Sequence, residues 1–305
     1  MNAKILSDAM SDCILCPRNC HADRRNGQTG FCRQTAQLRL ARAALHYWEE
    51  PCISGKKGSG AIFFSGCNLQ CVFCQNHTIA TGSVGKNVSI EKLASIMLQL
   101  QEQGANNINL VTASHFVPQT VLALEDAKTR GLTIPVVYNT GSYEKTETLK
   151  MLDGLVDIYL PDLKYYSGEL AEQFSHAEDY CPVAKKAIAE MVRQTGPASF
   201  NQEGLIQKGV IVRHMVMPGH TREAVLVLDY LKKTYGETIY ISIMSQYTPI
   251  QKDSNYKELN RRVTKREYEK VVEHAISIGI TNAFIQEGET AKESFIPEFN
   301  FNGLS

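Results

Sequence analysis

Short apolar runs alternate with helical periodicity along most of the chain. The mostly apolar runs lie at residues 61–64, 108–111, 134–138, 155–160, 209–217 and 239–244. Hydrophobic residues that repeat with the period of a helix predict helices at residues 89–103, 117–130, 184–193 and 222–233. The runs lack a strict alternation of apolar and polar residues, which is typical of parallel strands covered on both faces. The pattern therefore predicts about six strand–helix units.

Polar side chains follow five of these predicted strands. They begin at Cys67 and occupy residues 112–115, 139–142, 162–164 and 245–247. A parallel barrel builds its active site from the loops at the carboxyl ends of its strands. The placement therefore favours an α/β fold with a partial or complete parallel (β/α) barrel over a doubly wound open sheet, which is the main competing interpretation.

Chain length and charge limit the organisation and the partners. With 305 residues, 43% of them hydrophobic, the chain has enough apolar residues for one large core or two modest ones. We predict a cysteine-rich metal-binding segment at residues 1–50, the barrel at 51–290 and a tail at 291–305. Thirty-two basic residues balance thirty-two acidic ones, so no overall field draws the protein to nucleic acid or an anionic membrane.

The cysteine content points to metal or redox chemistry. The first ten residues lack a basic stretch followed by an apolar run, and no stretch approaches the roughly 20 apolar residues of a membrane span. We therefore expect a cytoplasmic protein with no membrane partner, whose thiols stay reduced. Seven of its nine cysteines are clustered, and in a reducing compartment clustered thiols indicate ligands rather than disulfides.

Four of these cysteines lie near the amino terminus, in a polar segment that offers little material for a core. They are Cys13, Cys16, Cys20 and Cys32. Four thiolates around one tetrahedral ion, or around one iron–sulfur cluster, would supply the missing cross-link. Two short spacings followed by a long one leave zinc and a second iron–sulfur cluster as open alternatives.

The other three clustered cysteines are Cys67, Cys71 and Cys74, in the sequence GCNLQCVFCQN that follows the first predicted barrel strand. Thiolates normally ligate all four irons of a [4Fe–4S] cluster, so three cysteines leave one iron open. An open position can bind a cofactor, as a catalytic metal keeps a site that a structural metal closes. The alternative is a structural zinc site with a distant fourth ligand such as Cys52 or His77.

The spacing Cys67-x3-Cys71-x2-Cys74, with Phe73 before the last cysteine, resembles the signature of the radical SAM superfamily. The segments FFSGCNLQCVFCQN, YLPDLKYY and VRHMVMPGHT resemble the glycyl-radical-enzyme activating enzymes, in particular proteins similar to pyruvate formate-lyase activating enzyme. The resemblance implies a [4Fe–4S] cluster whose open iron binds S-adenosylmethionine (SAM). Reduction of the cluster then cleaves SAM to a 5′-deoxyadenosyl radical, and the barrel shields that radical from water.

The resemblance also implies which residues contact the cofactor. Lys164 and Arg213 would hold its charged or polar groups, and Asn139 would face it. Family members commonly carry Gly-Gly-Glu after the second strand, where this chain has Thr112-Ala113-Ser114-His115. The hydroxyls of Thr112 and Ser114 would then replace that contact. Thr112 and Ser114 would alternatively cap a helix, and we assign no catalytic acid or base.

Three functions follow as hypotheses. The first is an oxidoreductase that abstracts hydrogen from a glycine of a partner glycyl radical enzyme, with reduced flavodoxin or ferredoxin as the electron source. The second retains radical SAM chemistry but acts on a small molecule, an RNA base or a peptide. The third is a non-enzymatic iron–sulfur or zinc-binding interaction protein.

Overall fold

A single mixed sheet organises the computed structural model, which describes residues 8–249, 255–286 and 297–304. Its strands, in chain order, are β1 (Arg39–His46), β2 (Ser59–Phe64), β3 (Lys86–Asn87), β4 (Ile108–Val111), β5 (Val136–Thr140), β6 (Ile158–Pro161), β7 (Ser199–Phe200), β8 (Ile206–Met215), β9 (Tyr240–Met244) and β10 (Ala283–Ile285). The strand order is β10-β9-β8-β6-β5-β4-β2-β1-β3, and β7 pairs with β8 outside this path. All six predicted strand runs overlap observed strands.

The central strands run parallel, as predicted. Parallel pairing joins β2 to β4, β4 to β5, β5 to β6, β6 to β8, β8 to β9 and β9 to β10. At one edge β1 is antiparallel to β2, and β3 is antiparallel to β1. Within the described residues no pairing joins β10 to β1 or β3, so the sheet is a partial barrel and not a closed one.

Helices connect the strands and cover the outer face of the sheet. They are α1 (Pro51–Ser54), α2 (His77–Ala80), α3 (Ile90–Glu102), α4 (Val117–Thr129), α5 (Thr146–Lys150), α6 (Gly168–Ser175), α7 (Tyr180–Thr195), α8 (Thr221–Tyr235) and α9 (Lys265–Ser277). The α3 helix starts at Ser89, whose side chain accepts the Lys92 N–H. All four predicted helices are confirmed, with ends shifted by a few residues. None of the described helices is long and apolar enough to cross a membrane.

Alternate residues of each strand face two different environments. In β5, Val136 and Tyr138 belong to the large core beneath the helices, whereas Val137 faces the barrel interior. Asn139 shares the interior face with Val137, because side chains two residues apart project to the same side of a strand. The interior is therefore apolar at its base and polar near the carboxyl ends of the strands.

The amino-terminal end of the barrel is closed by the segment between β1 and β2. In α1, Cys52 and Ile53 pack against the interior side chains of β5, β6 and β8. Just before β4, Asn107 Nδ2 donates to the Ile53 carbonyl at 2.8 Å and Asn106 Nδ2 donates to the Ser54 carbonyl at 2.6 Å. These bonds satisfy the carbonyls at the end of this short helix, so α1 forms a fixed floor under the cavity.

The two chain ends pack against the barrel. Residues 12–38 are mostly irregular, with one 3₁₀ turn at Arg24–Asn26. Near the other end, the Ala43 N–H of β1 donates to the Asn302 carbonyl at 2.9 Å, and Phe299 packs edge-on against Phe63. Residues 291–296 and 305 of the predicted tail lie outside the described residues.

Candidate active site

A cavity of about 240 Å³ lies at the carboxyl ends of the parallel strands. The sequence had pointed to this edge because polar residues follow the strands there. The residues that line it include Glu49, Cys67, Cys71, Cys74, Thr112, Asn139, Gly141, Asp162, Lys164, Arg213, Met215, Met217 and Met244. Three cysteines and several charged side chains from distant parts of the chain therefore share one enclosed space.

The loop after β2 presents Cys67, Cys71 and Cys74 to this cavity. It leaves the strand through Gly66, whose φ of 89° is readily available only to glycine. The Leu69 N–H lies 3.4 Å from Cys67 Sγ, and the Ser175 hydroxyl donates to Cys71 Sγ at 2.9 Å. Hydrogen bonds of this kind stabilise a thiolate and orient it as a ligand.

An aromatic cluster fixes the far end of this loop. The Phe73 ring contacts the rings of Tyr165, Phe174 and Tyr247 at centroid separations of 6.3 to 6.5 Å. Because Phe73 is 8% exposed and lies next to Cys74, its packing restricts where that sulfur can point. The aromatic residue before the third cysteine is therefore a positioning element for the loop.

The cysteine environment suits a bound cluster. Burial raises the pKa of Cys71, while the ammonium group of Lys164 acts in the opposite direction. Burial also raises the pKa of Cys74, and negative charge on Cys71 or Cys67 would raise it further. Such thiols do not ionise readily by themselves, but they become thiolates when a metal centre supplies positive charge.

The number of thiols on this wall of the cavity is what a cluster with an open iron requires. Cys67, Cys71 and Cys74 all line it. Thiolates normally ligate all four irons of a [4Fe–4S] cluster, so these three would hold a cluster and leave one iron open to the cavity.

A partly buried ionic network lies in the same cavity. Lys164 Nζ is 2.5 Å from Asp162 Oδ2, and Arg213 Nε is 2.9 Å from Asp162 Oδ1. Arg213 Nη2 also donates to Asn139 Oδ1 at 2.6 Å. The network places the ends of β5, β6 and β8 in fixed register and satisfies a guanidinium that would be costly to bury alone.

Glu49 completes this network, and our sequence analysis missed it. Arg213 Nη1 is 3.2 Å from Glu49 Oε2, while Asn109 and Asn139 donate to Glu49 Oε1 at 3.1 and 3.3 Å. Glu49 follows the antiparallel strand β1, well before the barrel strands that carry its partners. The only sequence signal was the acidic pair Glu49–Glu50 immediately before a short helix.

Burial and charge act differently on the acidic groups of the network. Burial raises the pKa of Glu49, and Arg213 offsets only part of that shift. Burial also opposes ionisation of Asp162, but Arg213 and Lys164 hold the pKa of this carboxyl below its usual value. Burial would lower the pKa of Lys164, yet the adjacent Asp162 carboxylate raises it. Lys164 therefore stays a cation that can face a carboxylate ligand.

The cavity brings together four of the five residues predicted to contact the cofactor. Thr112, Asn139, Lys164 and Arg213 line it, but Ser114 is absent from its wall. The buried Ser114 hydroxyl donates to the Glu144 carboxylate, which also accepts the Thr140 hydroxyl at 2.5 Å. We therefore leave Ser114 out of the candidate cofactor site.

Comparisons with known proteins identify relatives of this chain and structures that share its fold. A curated relative described as uncharacterized protein MJ0674, from Methanocaldococcus jannaschii, is 29% identical over 283 residues, covering 90% of this chain and 77% of the relative. Two solved structures have TM-scores of 0.50: methylornithine synthase (PylB), at 13% identity, and the FeFe-hydrogenase maturase HydG from Carboxydothermus hydrogenoformans, at 12%.

Such low identity shows a shared fold and nothing more specific. The alignments cover 72% of this chain and 60% of PylB, and 77% of this chain and 56% of HydG. This chain thus spans less than two thirds of the length of either solved structure. A family profile described as the radical SAM superfamily matches residues 61–231, more than half of the chain and including all three cysteines of the cavity. The chain therefore belongs to the radical SAM superfamily, a membership that implies enzymatic activity with a [4Fe–4S] cluster and SAM.

Proposed function

We propose that this protein cleaves SAM reductively and uses the resulting radical to abstract hydrogen from a glycine of a partner glycyl radical enzyme. The observation that carries the proposal is the shared cavity, in which three cysteines face a partly buried network of cationic and acidic side chains. This arrangement offers a ligand set for a cluster with an open iron and, beside it, charges suited to the zwitterionic end of SAM.

Each cavity residue has a role in this proposal. Cys67, Cys71 and Cys74 would hold the cluster, which would supply the electron for reductive cleavage of SAM to methionine and a 5′-deoxyadenosyl radical. Lys164 binds the carboxylate of the cofactor. Thr112 and Asn139 offer hydrogen-bonding groups, and Arg213 orients Asn139 through its 2.6 Å bond. Met215, Met217 and Met244 form an apolar wall that limits water near the reacting atoms.

The glycine target rests on the resemblance of three sequence segments to activating enzymes and on the rim of the cavity. Trp48 lines the cavity yet is 60% exposed, and the adjacent Tyr47 is 50% exposed. Large exposed aromatic side chains are frequent anchors of protein interfaces. A polypeptide loop carrying a glycine could therefore be recognised at this rim, beside the open edge of the sheet.

The proposal includes an electron source and a second metal centre. Reduced flavodoxin or ferredoxin would deliver single electrons to the protein. Cys13, Cys16, Cys20 and Cys32, in the segment predicted at residues 1–50, would bind either zinc or a second iron–sulfur cluster.

Anaerobic purification followed by a cleavage assay tests the central claim. The protein should be brown and, with dithionite, should convert SAM to methionine and 5′-deoxyadenosine. Colourless protein that contains zinc alone, or brown protein that leaves SAM intact, would contradict the proposal.

The glycine target needs a separate test. Incubation of the reduced protein and SAM with candidate glycyl radical enzymes should produce the doublet of a glycyl radical in the electron paramagnetic resonance (EPR) spectrum. If SAM cleavage persists while every candidate lacks the doublet, the radical chemistry stands and the glycine target is wrong.

A further inference from the structure

The four amino-terminal cysteines lie in a segment with few other sources of stability. Residues 12–38 contain one short 3₁₀ turn, and the local apolar cluster consists of Met10, Cys13 and Leu15 with Ala9 and Ala36 beside it. Burial of so few apolar residues does not offset the conformational entropy that an irregular chain of this length loses when it becomes ordered. A cross-link at the cysteines would account for the ordered fold of the segment.

The cysteines surround one small region. Cys13, Cys16 and Cys32 are buried and Cys20 is partly exposed. Cys13, Cys20 and Cys32 all lie close enough to Cys16 to interact with it electrostatically. The surrounding backbone is unusual, because Asn19 and His21, on either side of Cys20, have φ values of 44° and 54°.

Backbone N–H groups point at these sulfurs as they do in the loop after β2. The Phe31 N–H donates to Cys20 Sγ at 3.2 Å, and the Arg18 N–H bonds to Cys16, two residues earlier. The Leu69 N–H likewise bonds to the sulfur of Cys67, which lies two residues before it. Sulfurs of metal centres commonly accept such bonds, so both cysteine sets show local geometry suited to ligands.

A buried cation without an acidic partner lies beside the four cysteines. Arg24 is 1% exposed, and its guanidinium donates to the carbonyls of Gln34, Thr35 and His115 at 3.1, 2.9 and 2.7 Å. Its Nη1 is 3.7 Å from Cys13 Sγ, and no carboxylate pairs with it among the residues that the structure describes. A buried charge needs a counter-charge, which a thiolate-ligated metal centre supplies and four neutral thiols do not.

Zinc and a [4Fe–4S] cluster both accept four thiolates, but zinc has no redox chemistry. A site in contact with the loop that carries the cavity cysteines favours the centre that can exchange an electron.

The segment also packs directly on the loop that carries the cavity cysteines. Gln70 Nε2 donates to the Phe31 carbonyl at 2.5 Å, and Arg18 Nε donates to the Asn68 carbonyl at 2.8 Å. A Cβ added to Gly66 would lie 2.6 Å from the Cys32 carbonyl oxygen. The backbone of one predicted ligand, Cys32, thus touches the residue before another, Cys67.

We propose that Cys13, Cys16, Cys20 and Cys32 hold a second [4Fe–4S] cluster that passes electrons to the cluster in the cavity. The relay role rests on the proposed function, whereas the cluster itself does not. A one-electron donor such as flavodoxin or ferredoxin reduces the second cluster from the 2+ to the 1+ state. That cluster returns to 2+ as the cavity cluster is reduced from 2+ to 1+, and no atom or proton is transferred between them.

A variant without cavity ligands tests for the second cluster. The triple variant C67A/C71A/C74A should stay brown, contain about four iron and four sulfide per chain without zinc, and give an EPR signal after reduction. Adding C20A and C32A to it should remove the iron. A colourless triple variant with about one zinc per chain would overturn the proposal. If the triple variant does not fold, the iron content of the wild-type protein tests the same claim. About eight iron atoms per chain would support two clusters, and about four, with or without zinc, would overturn the second cluster.

Magnetic coupling tests the relay. When both clusters are reduced, their spins should interact, so the wild-type EPR spectrum should be broader than the sum of the spectra of C67A/C71A/C74A and C20A/C32A. A wild-type spectrum equal to that sum would overturn the relay. Loss of SAM cleavage in a protein with about eight iron would instead contradict the proposed function and leave the second cluster intact.

Discussion

The two cysteine sets of this protein touch each other but have opposite surroundings. Cys13, Cys16, Cys20 and Cys32 line neither described cavity, and the bonds that the nearby cation Arg24 makes to described residues go to carbonyls and to a sulfur. Cys67, Cys71 and Cys74 form one wall of a cavity whose other walls carry cations and carboxylates. The first set has enough ligands to close a metal centre, and the second lacks one.

Under the proposals above, the same ligand chemistry serves different tasks in the two sets. In the amino-terminal set, Arg24 and the local packing would supply the charge compensation and shielding that a closed centre needs. In the cavity, Lys164 and Asn139 would supply binding groups for the molecule that fills the last position of an open centre. The set with only three cysteines is therefore the one that lines a cavity, and the set with four is the one that does not.

The largest expected effect separates the two sets by function. Cys71→Ala should lower 5′-deoxyadenosine formation by well over the ~100-fold that loss of an outer-shell partner can cost, because it removes a cluster ligand itself. The variant should keep the iron of the amino-terminal cluster. Liquid chromatography of the products measures the activity, and Cys181→Ala, a buried cysteine on α7 outside both sets, is the control. Near-normal cleavage by Cys71→Ala would remove the cavity cysteines from the mechanism.

The next effect concerns the counter-charge of the closed centre. Arg24→Met should lower the free energy of unfolding by about 3–5 kcal/mol, since it leaves the charge of the metal–thiolate centre uncompensated. Denaturant titration under anaerobic conditions measures this change. The exposed neighbour Arg25 supplies the control Arg25→Met. Equal stability of the two variants would indicate that the four cysteines carry no buried negative charge.

A smaller effect is expected in the cavity. Lys164→Met should weaken SAM binding roughly 10- to 100-fold, because a hydrogen bond to a charged group contributes about 1.5–3 kcal/mol. Calorimetric titration of the unreduced protein with SAM measures the dissociation constant, and the exposed Lys186 provides Lys186→Met as the control. Unchanged affinity at unchanged iron content would show that Lys164 serves only its ion pair with Asp162.

The smallest effect lies at the junction of the two sets. The His115 ring bonds to the Ser65 carbonyl at 2.7 Å, and the His115 carbonyl accepts from Arg24. Burial, with a smaller contribution from Arg24, lowers the pKa of His115 from 6.5 to about 3. The unfolded chain therefore binds a proton below pH 6.5 that the folded chain excludes, and stability falls as the pH drops.

Between pH 7 and pH 5, the free energy of unfolding of the wild type should fall by roughly 2 kcal/mol more than that of His115→Gln. Urea titrations at both pH values measure the difference, with His274→Gln, at an exposed hydrogen bond with Asp229, as the control. Identical pH dependence in wild type and His115→Gln would mean that the junction admits a charged histidine.

The sequence predicted the parallel strands well because burial on both faces leaves a direct hydrophobic signal. The run at residues 108–111 coincides with β4, and the run at 239–244 begins one residue before β9. The antiparallel strand β1 escaped prediction. Its arginines, Arg39 and Arg42, interrupt the apolar pattern, and they bond to carbonyls of residues 82, 85 and 298 that no local pattern could indicate.

The cavity was predictable only where its residues lie at or near the carboxyl ends of barrel strands. Asn139, Lys164 and Arg213 were identified by resemblance, and the structure brings them together with the three cysteines. Glu49 was missed because it meets Arg213 across 164 positions of sequence. Ser114 was predicted in the cavity because a hydroxyl there suits a cofactor contact, but the buried carboxylate of Glu144 takes that hydroxyl.

The floor built by α1 has a consequence for any shortened version of the chain. Glu49 and α1 both precede residue 61, where the match to the superfamily begins. A fragment trimmed to the matched region would keep every cavity cysteine but would have a hole at the base of its barrel. Arg213 would lose one of its two carboxylate partners there, so a minimal catalytic unit has to start upstream of Glu49.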